Sequence, residues 1–471
     1  MPDFELAVIG AGAAGLSVTA AAAQLGLRVA LIERDRMGGD CLNFGCVPSK
    51  ALLAAAHAAA EVRTASRFGL RVARPQIDWD AVQAHVQGVV TAIAPNDSAA
   101  RFTALGATVL RDHARFVAPD ALQVGSRRIS CRRIVIAAGS RAAVPPIPGL
   151  DAVPFLTNST LFTPRPPPEH LLILGGGPIG LEMAQAHARL GCRVAVVEAE
   201  RVAGREDPEL VEGLRTALLA DGVQFIEQAR VARVEPGPAL VLDDGRRIAG
   251  SALLVAVGRR PNIEDLGLEA GGVRATQAGI ATDQGLRSVS NRRVYAVGDI
   301  ADPAGIGPRA FTHVGSYHAG IVVRRALFRL PARVDYVALP RVIYTAPELA
   351  QVGLTEAEAR ASGLEPRVVR WRMAENDRAQ TERRTEGLVK LVVTRSGRIL
   401  GAGILAPHAG EMIGAWTLAI ARGIRLSALA GMIVPYPTLA EAGKRAAGEF
   451  YAARLFSTAS RTLVRLLTRL P

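Results

Sequence analysis

The chain has 471 residues, of which 49% are hydrophobic, 21% are charged and 4% are aromatic. At roughly 150 residues per domain this length corresponds to about three domains, and the apolar fraction excludes an intrinsically disordered protein. Four cysteines in such a length exclude a small disulfide-stapled secreted fold. The formal net charge of +13 makes nucleic acid and an anionic membrane candidate partners. Because the arginines are scattered and no zinc-finger or RNA-binding signature occurs, we expect no nucleic-acid partner and attribute the charge to an arginine-rich composition.

The first apolar segment, from Leu6 to Leu27, has no charged residue and is long enough to span a bilayer. Gly10, Gly12 and Gly15 interrupt it, and the start of the chain lacks the basic region of a secretory signal. The pattern fits a short strand over Leu6–Ile9, a glycine turn and an alanine-rich helix better than a membrane span. We therefore predict a buried β-turn-α unit in a cytoplasmic protein, where a cysteine pair is redox-active rather than structural.

A glycine motif occurs twice, each time after an apolar run, and in both copies an acid lies 23 residues after the first glycine. Such a turn lets the backbone approach a pyrophosphate at a helix N-terminus, and the acid can accept hydrogen bonds from a ribose diol. Two copies with one offset predict two dinucleotide-binding units, with two unrelated tight turns as the alternative. The members are Gly10, Gly12, Gly15 and Glu33 in the first copy, and Gly175, Gly177, Gly180 and Glu198 in the second.

Proline-rich segments and changes of pattern divide the chain into domains. The segments Val144–Asp151 and Thr163–His170 separate the two glycine units. From about Tyr336 onward the pattern predicts antiparallel strands joined by a Ser-Gly turn, followed by helices. The predicted divisions are residues 1–150, 151–268, 269–335, 336–455 and a basic amphipathic tail over 456–471.

Two cysteines, Cys41 and Cys46, lie five residues apart in the segment GGDCLNFGCVPSK. They could close a small disulfide loop beside whatever the first glycine motif binds. Pro48 suits the opening turn of a helix, and the N-terminus of that helix would lower the pKa of a nearby thiol. Cys131 and Cys192 are isolated among apolar residues and are predicted to be buried packing residues.

Over roughly residues 4–450 the sequence resembles the pyridine nucleotide-disulfide oxidoreductases, the flavoprotein family of dihydrolipoamide dehydrogenase, glutathione reductase and mercuric reductase. The resemblance rests on the first glycine motif and on GGDCLNFGCVPSK, IVIAAGS, VYAVGDI, YTAPELAQVGLTEAEA and YPTLAEAGKRAA, which occur in the family's order. It implies an α/β fold with two Rossmann-like domains and a C-terminal α+β dimerisation domain, and hence a homodimer. The FAD-binding domain would comprise 1–150 and 269–335, the NAD(P)-binding domain 151–268 and the dimerisation domain 336–455.

The resemblance also implies roles for individual residues. Cys46 would lie against the flavin as the charge-transfer thiol, and Cys41 would face substrate as the interchange thiol. Lys50 would lie near flavin N5 and pair with Glu182, an ordinary surface pair being the alternative. FAD would be bound by Gly10, Gly12, Gly15, Glu33, Gly39, Lys50, Ala138, Gly139, Gly298, Asp299 and His313. The nicotinamide dinucleotide would be bound by Gly175, Gly177, Gly180, Glu198 and Gly258.

The sequence departs from part of the family near its C-terminus. Dihydrolipoamide dehydrogenases and glutathione reductases carry a His-Pro pair there, with a glutamate five residues after the histidine, and that histidine is the acid/base for the interchange thiol. Here Tyr436 stands at the histidine position and Glu441 is kept. A tyrosine with a pKa near 10 is only about 10⁻³ ionised at neutral pH. Tyrosine at this place resembles mercuric reductase, although the C-terminal vicinal cysteines and N-terminal metal-binding domain of many members are missing.

We therefore expect an FAD-dependent NAD(P)H oxidoreductase, similar to mercuric reductase, with a redox-active Cys41–Cys46 disulfide. Its acceptor would be a disulfide, a metal ion or another oxidant, with the two cysteines as transient Hg(II) ligands and no structural metal site. One alternative is a dihydrolipoamide dehydrogenase variant that uses Tyr436 or water for proton transfer, with Glu441 kept. Another is a flavin-binding scaffold or membrane-surface partner with residual activity. For Tyr436 itself, the alternative to a catalytic role is that of a packing residue at the dimer interface.

Two further expectations concern the nicotinamide and the C-terminal tail. Glu198 would bond the adenosine ribose and repel a 2′-phosphate, which favours NAD(H) over NADP(H), although Arg201 and Arg205 lie just beyond it. The tail RTLVRLLTRLP repeats arginine every four residues with leucines between them. It would make weak peripheral contact with an anionic membrane, or instead pack on the dimer or fray.

Overall fold

The structure is a computed structural model that describes residues 1–470. Its strands, in chain order, are β1 Phe4–Ile9, β2 Val29–Ile32, β3 Thr108–Leu110, β4 Ala114–Ala118, β5 Ala121–Val124, β6 Arg127–Ile136, β7 Ser140–Ala142, β8 His170–Leu174, β9 Arg193–Val197, β10 Val223–Ile226, β11 Val231–Glu235, β12 Ala239–Leu242, β13 Arg247–Ala249, β14 Ala252–Val255, β15 Arg259–Pro261, β16 Ala275–Thr276, β17 Gly279–Thr282, β18 Val294–Ala296, β19 Ala301–Pro303, β20 Arg341–Ile343, β21 Glu348–Gly353, β22 Arg367–Arg372, β23 Leu388–Val393 and β24 Ile399–Ala406. Its helices are α1 Ala13–Gln24, α2 Gly39–Asn43, α3 Cys46–Thr64, α4 Trp79–Ile93, α5 Ala99–Ala104, α6 Asn158–Leu161, α7 Pro178–Arg189, α8 Pro208–Ala220, α9 Thr312–Val322, α10 Glu356–Ala361, α11 Asp377–Thr381, α12 Ala409–Ala421, α13 Leu426–Gly431, α14 Glu441–Leu455 and α15 Thr458–Leu467.

The chain divides into two compact units, which we describe separately. Unit 1 comprises Met1–Ala55, Ile77–Gly175 and Val231–Asp335, and unit 2 comprises Ala56–Gln76, Gly176–Arg230 and Tyr336–Pro471. These units do not follow the domain divisions expected from the sequence, which stay predictions.

Unit 1 is built around a sheet whose strands run in the order β3-β2-β1-β6-β5-β4, with β18 paired to β6. The strands β2, β1 and β6 are parallel neighbours, as are β18 and β6. The runs of β1, β2 and β18 are almost continuously apolar and buried, as expected of parallel strands covered on both faces, and β6 joins that pattern over its last three residues. Helix α1 packs against α9. The carboxyl ends of these parallel strands carry the first glycine motif and the VYAVGDI motif to one edge of the sheet.

The apolar segment Leu6–Leu27 folds as predicted into a strand, a turn and a helix. Strand β1 ends at Ile9 and α1 begins at Ala13, so the intervening glycines form the turn. Within residues 1–470 we find no helix that combines the length and the apolar character needed to cross a bilayer. The smaller pairings of unit 1 are β8 with β14 in parallel, β7 with β15 in antiparallel orientation, β11-β12-β13 and β16-β17-β19.

Unit 2 contains the parallel pair β9 and β10 and an antiparallel sheet in the order β20-β21-β24-β23-β22. Helix α12 packs on β21 and β24, and α14 packs on β22 and β23. Together they bury a core that includes Trp416, Leu391 and Phe450. The antiparallel strands and the Ser-Gly turn predicted beyond Tyr336 are present, with Gly397 at φ +80° between β23 and β24.

A buried lysine ties the helices of unit 2 to this sheet. Lys390 on β23 is 4% exposed, and its Nζ lies 2.8 Å from Asp207, 3.0 Å from Glu209 and 3.1 Å from Glu356. Asp207 and Glu209 open α8, while Glu356 opens α10. Removing one partner of a buried charge cluster typically costs about 3–5 kcal/mol, so Lys390 holds both helix ends in place.

Candidate redox site

The two closely spaced cysteines lie on successive helices of unit 1. Cys41 lies within α2, and Cys46 is the first residue of α3, so Pro48 lies in the opening turn of that helix as predicted. The Sγ atom of Cys46 lies 3.1 Å from Oγ1 of Thr312, at the start of α9. Both sulfurs are free thiols in this structure, so the disulfide stays a prediction. Thr312 was not among the predicted site residues, because it lies 266 positions away in the sequence.

The environment makes the two thiols chemically unequal. A hydrogen bond from Cys41, supported by Thr312 and by the positive charge of Lys50, lowers the pKa of Cys46 to about 6 against the opposing effect of partial desolvation. The same hydrogen bond and burial raise the pKa of Cys41. At neutral pH the pair therefore consists of a Cys46 thiolate that accepts a hydrogen bond from the Cys41 thiol. A low pKa at the first residue of a helix is typical of reactive cysteines.

The remaining cysteines have the opposite character. Cys131 on β6 and Cys192, just before β9, are both buried. Burial raises the pKa of Cys131 to about 12 and that of Cys192 to about 11. Both stay protonated at neutral pH and serve as internal controls for the reactivity of the first pair.

A polar chain connects the cysteine segment to the predicted flavin residue Asp299. Arg259 Nη2 lies 3.2 Å from Asp40, and its Nε donates to the hydroxyl of Ser140 at 2.7 Å. Ser140 in turn donates to Asp299 at 2.5 Å. Burial raises the pKa of Asp299, while Ser140 and Arg259 oppose that rise. None of Asp40, Ser140 and Arg259 was among the predicted site residues, although Asp40 lies in the segment GGDCLNFGCVPSK and Ser140 ends IVIAAGS.

The first glycine turn has the geometry predicted for a dinucleotide. Gly10 has φ +106°, and a Cβ there would lie 2.5 Å from the carbonyl oxygen of Ala137. A Cβ at Gly15 would lie 1.9 Å from the oxygen of Gly10, so neither position accepts a side chain. Glu33 accepts hydrogen bonds from the backbone N–H of Ala11 at 2.7 Å and of Asp35 at 2.8 Å. The acid at the end of β2 is thereby held beside the turn.

Two observations fit a dinucleotide at this turn. Helix α1 begins after Gly12 without a side-chain cap, which leaves its first N–H groups for a phosphate. A Cβ at Gly39, the first residue of α2, would lie 2.7 Å from the Cα of Gly12. The backbones of Gly12 and Gly39, which have no side chains, therefore lie in close contact at the turn. The residues present fit the FAD expected there.

Three of the other predicted flavin residues of unit 1, Ala138, Gly139 and Gly298, take part in hydrogen bonds that fix the backbone around them. Asn262 donates to the carbonyl of Ala138 at 2.8 Å, and its N–H donates to that of Gly139 at 3.0 Å. The N–H of Gly298 donates to Nδ1 of His318 at 3.0 Å. Burial lowers the pKa of His318 to about 4, so the ring is neutral and the accepting Nδ1 has no proton. The predicted His313 is exposed and stacks on Phe311.

The second glycine motif is divided between the two units. Gly175 and Gly258 belong to unit 1, whereas Gly177, Gly180 and Glu198 belong to unit 2. Within unit 2, Glu198 accepts from the N–H of Gly176 at 2.7 Å and from that of Glu200 at 3.0 Å. Helix α7 begins after Gly177 with Pro178, again without a side-chain cap.

The predicted lysine–glutamate pair is also divided. Lys50 lies on α3 in unit 1, with Nζ 3.5 Å from the hydroxyl of Ser49. Glu182 lies on α7 in unit 2, where it is buried and accepts a hydrogen bond from the N–H of Tyr344 at 3.1 Å. Their pairing therefore stays a prediction.

Tyr436 lies in an exposed segment of unit 2 and is 67% exposed. Its hydroxyl donates to Oδ2 of Asp377 at 2.7 Å. The pKa of Tyr436 is raised chiefly by that hydrogen bond, with Glu441 adding to the rise. Glu441 is the first residue of α14 and accepts from Arg445 at 3.0 Å. Asp377 is a partner that sequence reasoning missed, since it lies 59 residues from Tyr436.

Comparison with known proteins gives consistent matches over nearly the whole chain. The family model described as pyridine nucleotide-disulphide oxidoreductase matches residues 4–357, and its dimerisation-domain model matches residues 339–447. Mercuric reductase of Streptomyces lividans is 37% identical over 464 residues, covering 95% of this chain and 96% of that protein. Dihydrolipoyl dehydrogenase of Thermus scotoductus is 35% identical over 456 residues, covering 94% and 96%. Among solved structures, the Cu(II) complex of the HOCl-induced flavoprotein disulfide reductase RclA of Escherichia coli has a TM-score of 0.84 at 29% identity, covering 93% of this chain and 98% of that one.

Proposed function

Since this chain belongs to the pyridine nucleotide-disulphide oxidoreductase family, we propose that it is an NAD(P)H-dependent reductase whose Cys41 and Cys46 pass electrons to a soft metal ion such as Hg(II). The family is FAD-dependent and uses a pyridine nucleotide, so the chain is an oxidoreductase, and its dimerisation domain supports a homodimer. The acceptor is the new element of the proposal. The observation that carries it is the Tyr436 phenol, which Asp377 holds protonated at the position where dihydrolipoamide dehydrogenases and glutathione reductases have a histidine.

The proposal assigns FAD to the first glycine turn and NADH to the second. When bound, FAD supplies hydride acceptance from NAD(P)H and transfer of two electrons to sulfur, chemistry that side chains lack. The chain's own contribution at the first turn is the uncapped start of α1 for the pyrophosphate and the fixed Glu33 carboxylate for the ribose. At the second turn the uncapped start of α7 and Glu198 offer the same groups.

The unequal thiols suit the cysteine pair to two-electron chemistry. Oxidation of the pair joins the Cys46 thiolate and the Cys41 thiol in one S–S bond, which releases two electrons and one proton. Those two electrons are the number that converts Hg(II) to Hg(0). Because soft metal ions prefer thiolate ligands, both sulfurs can serve as ligands before the metal is reduced, with Cys41 losing its proton when it binds the metal.

Tyr436 distinguishes a metal ion from dihydrolipoamide as the substrate. A dithiol substrate must lose protons as it attacks a disulfide, and a positioned acid/base group contributes about 10²–10⁴-fold to such a step. The raised pKa of Tyr436 makes its phenolate still scarcer at neutral pH, and Glu441 raises that pKa further. A metal-ion substrate has no proton that must be removed. A phenol can ligate the ion, or donate a hydrogen bond to one of its ligands, without acting as a base. The alternative, a dihydrolipoamide dehydrogenase, is retained because of the relative in Thermus scotoductus.

Steady-state NADH oxidation by the purified homodimer tests the acceptor. We expect Hg(II) to support turnover, with Cu(II), lipoamide and glutathione disulfide assayed in parallel. Tyr436→His should raise lipoamide turnover about tenfold, within the range of an added acid/base group, and leave or lower Hg(II) reduction. Tyr451→Phe also removes a phenol hydroxyl from unit 2 and is the matched control for Tyr436→Phe. It should change neither lipoamide turnover nor Hg(II) reduction. Fast dihydrolipoamide oxidation by the wild type, insensitive to Tyr436→Phe, would replace the metal proposal with the dehydrogenase alternative.

A second experiment tests the cysteine pair itself. Two-electron anaerobic reduction should give a long-wavelength charge-transfer absorbance that Cys46→Ser abolishes, and Cys41→Ser should show it without reduction. In the reduced protein the alkylation rate of Cys46 should fall as the pH drops through about 6, because its lowered pKa keeps it ionised only above that value. Cys192→Ser is the control and should change none of these signals. If thiol titration of the oxidised protein finds free thiols at both positions 41 and 46, the disulfide mechanism is wrong and the scaffold alternative is favoured.

A further inference from the structure

The last helix, α15, has no buried side chain, and all of its residues except the half-buried Ser460 are exposed. The exposed fraction is between 53% and 56% for each of Leu463, Val464, Leu466 and Leu467. Its start is fixed by Ser457, whose hydroxyl accepts from the N–H of Ser460 at 3.2 Å. An isolated helix shorter than about 12–15 residues is only marginally stable in water, so a ten-residue helix with no buried face requires another surface to cover it.

The exposed side chains of α15 are sorted by character around the helix. At 3.6 residues per turn, Leu463, Leu466 and Leu467 fall within an arc of about 100°, and Arg461 and Arg465 fall on the opposite side. The following turn continues the pattern with Arg469 and Leu470. A short helix with a basic face and an aliphatic face is suited to lie in the plane of a membrane interface.

The charge of the surrounding segment favours an anionic surface. Residues 451–471 contain four arginines and neither aspartate nor glutamate. The long arginine side chains can extend toward lipid phosphates while the leucines enter the boundary of the acyl chains. Leu455 and Phe456, which precede the helix, are 64% and 62% exposed and enlarge the apolar surface.

A second copy of the chain fits this helix less well. The match to the family's dimerisation domain ends at residue 447, before the basic segment begins. Two copies of a segment with four arginines and no acid would also repel each other if they met face to face. We propose that α15 is a peripheral membrane anchor that binds the surface of a bilayer containing anionic phospholipid.

Flotation of the purified full-length homodimer with vesicles tests this anchor. We expect recovery with vesicles of phosphatidylcholine and phosphatidylglycerol, little recovery with phosphatidylcholine alone, and loss of binding in high salt. Either R461Q/R465Q/R469Q or L463S/L466S/L467S should reduce binding about tenfold or more, because each removes one of the two required faces. The triple variant R127Q/R128Q/R132Q removes the same charge from exposed positions in unit 1 and should bind like the wild type.

A chain ending at Ser457 separates this anchor from a dimer contact. It should lose flotation yet keep the dimer mass in solution and the NADH oxidation rate without vesicles. Equal flotation of the full-length and shortened proteins would overturn the proposal. So would a shortened protein that is monomeric while the arginine and leucine variants still float, since α15 would then be covered by a second copy.

Discussion

The two glycine turns of this protein are nearly identical in their acids and different in their surroundings. Glu33 and Glu198 each accept a hydrogen bond of 2.7 Å from the backbone N–H of the residue after the first glycine. Gly10 and Gly175 have φ values of +106° and +110°, and at each a Cβ would lie 2.5 Å from a strand-end carbonyl. The same sequence spacing has produced the same local geometry twice.

The surroundings differ at the second glycine of each motif. In the first turn Gly12 lies against Gly39, so the cysteine segment begins directly over the turn. In the second turn a Cβ at Gly177 would meet nothing within 4 Å. The difference suits the proposed ligands, since a flavin would stay bound beside the cysteines while a nicotinamide nucleotide would enter and leave at every turnover.

The largest effect should come from a methyl group added to each turn. Gly15→Ala places a Cβ 1.9 Å from the oxygen of Gly10, so the turn must deform and the purified protein should retain little flavin. Gly177→Ala adds its methyl to open space at an ordinary φ of −77°. The Gly177→Ala variant should retain flavin fully. Its KM for NADH should rise about tenfold, because the added methyl group keeps the pyrophosphate of NADH from approaching the backbone of the turn.

The absorbance of bound flavin relative to protein, together with the thermal unfolding temperature, measures the first variant, and steady-state kinetics measures the second. Full flavin content in Gly15→Ala would show that the turn tolerates a side chain and that the two sites are less different than their surroundings suggest. An unchanged KM in Gly177→Ala would place the nucleotide phosphates elsewhere.

The two acids offer the next test, of intermediate size. Glu198→Gln removes the charge that would repel a 2′-phosphate, so kcat/KM for NADPH relative to NADH should rise about tenfold. Glu33→Gln is the matched change in the other turn and should lower flavin retention while leaving that ratio within about twofold. A wild type that already prefers NADPH tenfold or more would contradict the assignment of Glu198 as the discriminating residue.

The local parts of both turns could be predicted from the sequence because they depend on short-range sterics. A glycine with positive φ, an apolar strand before it and an acid at a fixed offset are all visible without the fold. The same holds for the antiparallel strands beyond Tyr336 and for the exposed amphipathic tail, whose patterns are periodic. Cys41 and Cys46 could be singled out because only five positions separate them.

The electrostatics of the site could not be predicted in the same way. The pKa of Cys46 depends on Thr312, and the pKa of Tyr436 depends on Asp377, partners that only the folded backbone brings within 3.1 Å and 2.7 Å. The contact between Arg259 and Asp40 similarly joins residues 219 positions apart in sequence. Hydrogen bonds between segments that are distant in the chain produce no periodic pattern in the sequence. The sequence therefore indicated the reacting residues but not the groups that set their charge.

The smallest effect should come from Arg201 and Arg205, the cations that follow Glu198 by three and seven residues. Both are exposed, and exposed charges act weakly through a high dielectric and are screened by salt. If they attract a 2′-phosphate, the double change to glutamine should lower kcat/KM for NADPH about two- to fivefold and leave NADH unchanged, and the difference should vanish in high salt. The same change at Arg193 and Arg230, also exposed near β9 and β10, controls for net charge. An equal decline for both nucleotides would mean that these arginines support the fold of the turn, and the preference would then depend on Glu198 alone.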